Sequence, residues 1–124
     1  MYYICMELCS DSLQDILKHK PQVFGRQPGE PINAIEFYIS CHIFKEILEC
    51  VQYLHGLVKP IIHRDLKPDN ILIAQQVRNG RFIKLGDFGL ASYHSSYYGN
   101  HTSWVGTLQY MAPEFPGVEY LFGI

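Results

Sequence analysis

The 124 residues contain no apolar run near the roughly 18–20 residues that span a bilayer, so none reads as a membrane segment. They contain no basic block either. Ten Lys plus Arg against twelve Asp plus Glu leave a formal charge of −2, which offers nucleic acid no electrostatic footprint. Internal repeats, low-complexity stretches and any collagen-like or linker-like Gly/Pro period are absent. Charged residues are only 18% of the chain and hydrophobic residues 48%, which excludes a disordered tail and leaves apolar material for one small core. The four cysteines, Cys5, Cys9, Cys41 and Cys50, form no Cys-x-x-Cys pair and have no His pair at i, i+4 beside them. That excludes a zinc site, and a chain with this much core needs no disulfide staples, so they read as thiols in a reducing compartment. The start, Met1 to Glu7, lacks the basic n-region of a signal peptide, and Asn100-His101-Thr102 therefore reads as a chance glycosylation pattern.

What is present has a clear order. Residues 2–6 (Tyr-Tyr-Ile-Cys-Met) are aromatic and apolar and predict a short buried strand. Ser10, Asp11 and Ser12 offer helix caps, with capping-box spacing at Asp11/Gln14, and a short helix through Leu13, Ile16 and Leu17 should stop near Pro21. Residues 21–31, with three prolines and two glycines, predict a loop. Asn33, with Glu36 three residues on, caps the strongest helix, whose stripe runs Ile35, Ile39, Ile43, Ile47, Val51, Leu54 and is widened by Tyr38, Phe44 and Leu48. Uninterrupted to Gly56, it makes a rod about 36 Å long, suited to the central pillar of a larger helical body. Residues 71–74 and 81–86 flank Asn79-Gly80 and predict a hairpin. The polar, aperiodic stretch 93–104 predicts a mobile surface loop, and Phe115 to Ile124 shows no clear element.

The chemistry lies around the hairpin. His63-Arg64-Asp65-Leu66-Lys67-Pro68-Asp69-Asn70 precedes it, Asp87-Phe88-Gly89 follows it, and Ala112-Pro113-Glu114 comes after the polar loop. Asp65 on a loop can accept a hydroxyl proton, and Lys67, two residues on, can face the same way and touch a phosphate. Asn70 and Asp87 offer hard oxygens that suit Mg²⁺, and Gly89 beside Phe88 permits backbone rotation. In this order the three segments resemble the catalytic loop, the magnesium motif and the end of the activation segment of eukaryotic protein kinases.

The resemblance implies a set of roles. Asp65 is the base, Lys67 the phosphate contact, and Asn70 and Asp87 the magnesium ligands of an ATP-dependent transfer to a protein hydroxyl. Lys67-Pro68 resembles the serine/threonine branch, and Thr107 after Gly106 fits it as the hydroxyl that contacts the catalytic Asp and Lys. Arg64 before Asp65 implies control by a phosphate on the activation loop, at Ser103 first or Thr102 second. Residues 1–10 look like the last small-lobe strand and hinge, with Met6 as gatekeeper, backbone groups of Glu7 and Cys9 on the adenine edge, and Leu72 as the floor under it.

The expected fold is α+β: a partial protein-kinase-like fold, mostly the first half of the helical large lobe, with a β-hairpin at the active site. Residues 11–114 would be that half lobe, with the catalytic loop at 63–70 and the activation segment at 87–114; residues 115–124 would be a divergent tail. No Gly-rich loop, no Val-Ala-Ile-Lys lysine and no partner Arg for Glu114 are found, so the isolated chain is expected to fold poorly and to be inactive. Two outcomes stay open: a fragment of an active serine/threonine kinase, or a truncated non-catalytic isoform or decoy that binds kinase partners. Met-Glu-Leu-Cys, Ser-Leu-Gln-Asp and Cys-His-Ile-Phe are similar to stress-response kinases of the initiation-factor-2-alpha and inositol-requiring types. A cytoplasmic location is expected, with a membrane-anchored parent and cytosolic kinase domain left open.

Overall fold

A computed structural model describes residues 1–27, 29–93 and 105–112. Strand β1 (Cys9–Ser12) leads straight into helix α1 (Leu13–Val23). Ser12 is the hinge between them: its hydroxyl accepts from the Asp15 N–H at 3.2 Å, and Asp15 accepts from the Ser12 N–H at 3.1 Å. The capping box thus falls one residue later than the Asp11/Gln14 spacing predicts, because a carboxylate is the stronger partner for the cap N–H. Those bonds hold the Asp15 carboxyl below its ordinary pKa. The helix runs two residues past Pro21, which sits in the final turn. There the chain turns away through Gly25 (φ 60°), and the Phe24 N–H closes on the Lys20 carbonyl at 3.2 Å.

Helix α2 (Ala34–His55) follows the expected boundaries. Asn33 accepts from the Glu36 N–H at 2.8 Å, and Glu36 returns the bond to the Asn33 N–H at 3.3 Å. Glu36 is fully buried, and its carboxylate is flanked by Lys20 at 3.6 Å and Arg26 at 3.4 Å. Both cations come from α1 and the segment after it, so this charge cluster joins the two helices.

The hairpin pairs β3 (Ile71–Arg78) with β4 (Arg81–Leu85) around Asn79 and Gly80, both at positive φ (53° and 71°) as a tight I′-type turn needs. Strand β1 adds to the other edge of β3, giving the order β1-β3-β4, all antiparallel. A second, two-residue ladder joins β2 (Ile61–Ile62) to β5 (Ser92–Tyr93). Helix α2 packs across β4, and among the described residues the buried apolar side chains are Leu54 of α2, Ile71 and Ala74 of β3, and Ile83 of β4.

One expected element is not formed. Residues 2–6 are not a buried strand: residues 1–8 have no regular structure, and Tyr2, Tyr3, Ile4 and Met6 are exposed. A strand is held by its ladder, and the edge of β3 is already occupied by Cys9–Ser12. The apolar stripe of α2 is likewise uncovered over much of its length, with Ile35, Tyr38, Phe44 and Leu48 exposed.

The capping geometry predicts that Asn33→Ala destabilises the chain by about 1 kcal/mol while Asn33→Asp is close to neutral. Urea denaturation followed by circular dichroism measures the difference.

Candidate active site

The loop after β2 turns sharply. Arg64 adopts φ 67° and Asp87 φ 54°, both in the left-handed region that side chains other than Gly, Asn and Asp disfavour. Such residues cost about 1–3 kcal/mol each and persist only where their surroundings fix them. Here the fixings are visible. His63 is buried and donates from Nε2 to the Gly86 carbonyl at 2.8 Å, while its Nδ1 accepts from the Asp65 N–H at 3.4 Å. Its ring lies 4.8 Å from that of Phe88. Arg64 donates from Nε to the Leu90 carbonyl at 2.6 Å. The loop carrying Asp65 and the segment carrying Asp87 are therefore one hydrogen-bonded unit.

Asp65 sits at its centre, buried. One carboxylate oxygen accepts from the Thr107 hydroxyl at 2.7 Å. The other lies 3.0 Å from Lys67 Nζ and accepts from Asn70 Nδ2 at 3.1 Å. Lys67 also donates to Thr107 Oγ1 at 3.0 Å, which closes a triangle. The Thr107 hydroxyl, and next Lys67, hold the Asp65 carboxyl below the ordinary carboxylate range. Asp65 in return raises Lys67 above the ordinary lysine value. At neutral pH the pair is an ionised acid and an ionised amine.

Thr107 reaches Asp65 because Gly106 precedes it. Gly106 has φ 124°, and a Cβ there would lie 2.7 Å from the Arg64 carbonyl oxygen. Only glycine lets the two backbones approach so closely. Gly86 is less constrained: a Cβ there would meet the tip of the Leu72 side chain at 2.6 Å, which can move aside where backbone cannot.

Asn70 ends a 3₁₀ turn (Pro68–Asn70) and is buried. Its amide hydrogens are committed to Asp65, at 2.9 Å to the carbonyl and 3.1 Å to the carboxylate, so its Oδ1 is the atom left for a cation. The Gly86 N–H donates to the Asn70 carbonyl at 2.8 Å, and Asp87 comes next in the chain. Asp87 is exposed, and Oδ1 accepts from the Gly89 N–H at 3.1 Å. A carboxylate and an amide oxygen are hard donors that fit Mg²⁺. Among the described residues no cluster of three His, Cys, Asp or Glu could hold a metal alone.

The structure thus brings together Asp65, Lys67, Asn70 and Thr107; the Arg64 side chain bonds the Leu90 carbonyl, the Phe88 ring meets His63, and Asp87, which holds the Gly89 N–H, follows the Gly86 N–H that bonds Asn70. The adenine-edge residues separate. Cys9 (opposite Ala74) and Leu72 (opposite Ser12) lie on the same sheet. Met6 is exposed outside it, and Glu7 is ion-paired to Lys84 at 3.4 Å. Thr102, Ser103 and Glu114 lie outside the described residues. Sequence reasoning passes over Glu46, and it takes His63 and Gly106 only as members of motifs, with no task of their own. A buried histidine leaves no period, whereas Gly106 directly before a motif threonine and Glu46 set among Ile43, Ile47 and Cys50 were readable signals.

Comparison with known proteins agrees in one direction. The family model described as protein kinase domain matches residues 1–119. The eIF-2-alpha kinase GCN2 of Schizosaccharomyces pombe is 36% identical over 136 residues, covering 95% of this chain and 7% of that protein. Eukaryotic translation initiation factor 2-alpha kinase 3 of Rattus norvegicus is 34% identical over 125 residues, covering 90% of this chain and 10% of that protein. Among solved structures, the yeast RNA Pol II CTD kinase CTDK-1 complex contains a chain with a TM-score of 0.58 and 32% identity, covering 82% of this chain and 28% of that one. The chain thus spans about a tenth or less of the two curated relatives.

The pKa directions fix a pH response. A lowered Asp65 contributes stability that is present above the unfolded carboxylate value, near pH 4, and is lost as pH falls through the folded value. Asp65→Asn should therefore flatten the acid limb of stability below about pH 4. Thermal melts of both proteins across pH 2–6 test this; an unchanged acid limb would refute the stabilised carboxylate.

Proposed function

The chain belongs to the protein kinase family and has the corresponding partial α+β fold, and from this we propose that it carries the phosphoryl-acceptor half of an ATP- and Mg²⁺-dependent protein serine/threonine kinase site. The single observation that supports the reading most is the closed triangle of Asp65, Lys67 and Thr107, with contacts of 2.7–3.0 Å.

Each residue has a task in this reading. Asp65 accepts a hydrogen bond from the substrate hydroxyl and orients its oxygen toward the γ-phosphoryl group. Lys67 supplies a fixed positive charge where phosphate charge gathers in a loose transition state. Thr107 bridges the two, so the segment ending at Met111 is in register with the loop. Asn70 Oδ1 and the Asp87 carboxylate would hold Mg²⁺, and bound Mg²⁺ neutralises phosphate charge. Cys9 and Leu72 lie on the sheet beside which an adenine would rest; Met6 and Glu7 reach it only in another arrangement of residues 1–8. Arg64, Phe88 and Gly89 link the loop to the segment that Thr102 or Ser103 would control. By the two relatives named as kinases of eIF-2-alpha, the narrower substrate reading is a serine or threonine of that factor.

The 124 residues contain no Gly-rich phosphate loop and no Val-Ala-Ile-Lys lysine. We therefore expect the isolated chain to transfer no phosphate. The intact acid–base–metal set favours a catalytic parent over a decoy, which needs none of it.

In the intact protein, Asp65→Asn should lower kcat by about 10²–10⁴-fold with little change in KM. Thr107→Val should lower it by up to about 10²-fold through misplacement. Radiolabelled phosphate transfer to eIF-2-alpha and to a generic protein measures both. Full activity of Asp65→Asn would sink the assignment, and transfer to the generic protein alone would sink only the substrate reading.

A further inference from the structure

Glu46 lies in the middle of α2, outside every motif, and is buried. Its Oε2 accepts the backbone N–H groups of both Phe82 and Ile83, each at 2.9 Å. Those groups sit at a break in the hairpin ladder. Strands β3 and β4 pair as far as Ile73 opposite Ile83 and resume only at Arg78 opposite Arg81, so Phe82 alone faces residues 74–77. A side chain from the helix takes the bonds that the irregular ladder does not.

The same side chain is otherwise poorly served. Its Oε1 is buried and takes no hydrogen bond among the described residues; His42 Nε2 stands 3.7 Å away. The His42 ring stacks on Phe82 at 6.0 Å and on Tyr38 at 6.2 Å, covering the contact from outside. A half-satisfied buried carboxylate is a weak source of stability, and an apolar side chain of similar volume often serves as well or better. What it does supply is direction: one oxygen takes two consecutive N–H groups of β4 and so helps to fix where that strand sits on α2.

That placement matters two residues beyond β4. Leu85 leads through Gly86 to Asp87, and the Gly86 N–H is bonded to the Asn70 carbonyl. Asp65 reaches the same place by a separate route, from the far end of α2 through Gly56 and β2. The two routes diverge from α2 and meet again at the His63–Gly86 and Gly86–Asn70 bonds, and Glu46 ties the β4 route to the helix at its middle, beside the Cys50 contact to the Ile83 carbonyl at 3.7 Å and the Glu49–Arg81 pair at 3.3 Å. We propose that Glu46 is a positioning residue that sets Asn70 and Asp87 against Asp65 for cation use. The proposal rests on the reading of Asn70 and Asp87 as the cation-facing pair.

The test uses the intact protein with Glu46→Asp, Glu46→Gln and Asp87→Ala. The measured quantities are the Mg²⁺ concentration for half-maximal rate, KM for the protein substrate, and the melting temperature. Glu46→Asp keeps the charge but withdraws the acceptor by one methylene, and should raise the Mg²⁺ requirement by about tenfold with KM for the protein unchanged. Glu46→Gln keeps an acceptor oxygen at full length and should stay within about twofold of the natural protein. An unchanged Mg²⁺ requirement in Glu46→Asp overturns the proposal. So does equal impairment of Glu46→Gln, or a rise of both constants together, which a merely structural loss would give. Asp87→Ala separates the two levels: if it stays active, the site reading fails and the proposal with it; if it is dead, the Glu46 result stands alone.

Discussion

A carboxylate taken out of water costs several kcal/mol unless donors replace the lost hydration. Among the described residues three are buried: Glu36, Glu46 and Asp65. Each is met by donors or cations from a different part of the sequence, so each doubles as a joint. Glu36 gathers Lys20, Arg26 and the Asn33 N–H at the start of α2. Glu46 gathers the N–H groups of β4 in its middle. Asp65 gathers Lys67, Asn70 and Thr107 past its end. Against this, only four apolar side chains are buried among the described residues, so polar joints rather than oil set the relative placement of the elements.

The joints also explain how two strained residues survive. Arg64 and Asp87 both occupy the left-handed region, and they face each other across one set of bonds: His63 to Gly86, Arg64 to Leu90, and Gly86 to Asn70. Arg64, a residue type that disfavours this region, depends on those bonds more than Asp87 does. Gly106 completes the set by letting a third stretch of chain lie against the Arg64 carbonyl. Strain spread over bonded neighbours gives a site whose geometry exists before anything binds, which electrostatic catalysis needs.

Legibility followed range. Local signals were read correctly: Asn33 with Glu36 marks the start of α2, Asn79-Gly80 marks the hairpin turn, and the motif residues around Asp65 do meet. Local signals with two solutions were read one step off, as at Ser12/Asp15, where two overlapping capping pairs compete and only charge separates them. The strand expected at residues 2–6 failed because apolar composition says that a segment wants a partner and not whether one is free. For Glu46 and His63 the sequence marks the residue, a carboxylate on an apolar stripe and the head of a motif, but not what it bonds. Their partners are backbone groups more than twenty residues away, and backbone carries no sequence.

On the proposed reading, in which Asp65 faces a substrate hydroxyl, its electrostatics bear on how proton and phosphate would move. A residue that removes a proton early should have a pKa raised toward neutrality, as burial alone would give. Here the Thr107 and Lys67 contacts outweigh burial and push the carboxyl the other way. A carboxylate so stabilised is a weak base and a good hydrogen-bond acceptor. In a loose transition state the attacking oxygen gains little positive charge until bond formation is well advanced, so early proton removal would contribute little. What matters first is aim. The triangle that would weaken Asp65 as a base is the same triangle that fixes its direction, and under the proposed chemistry the second property is the one that would count.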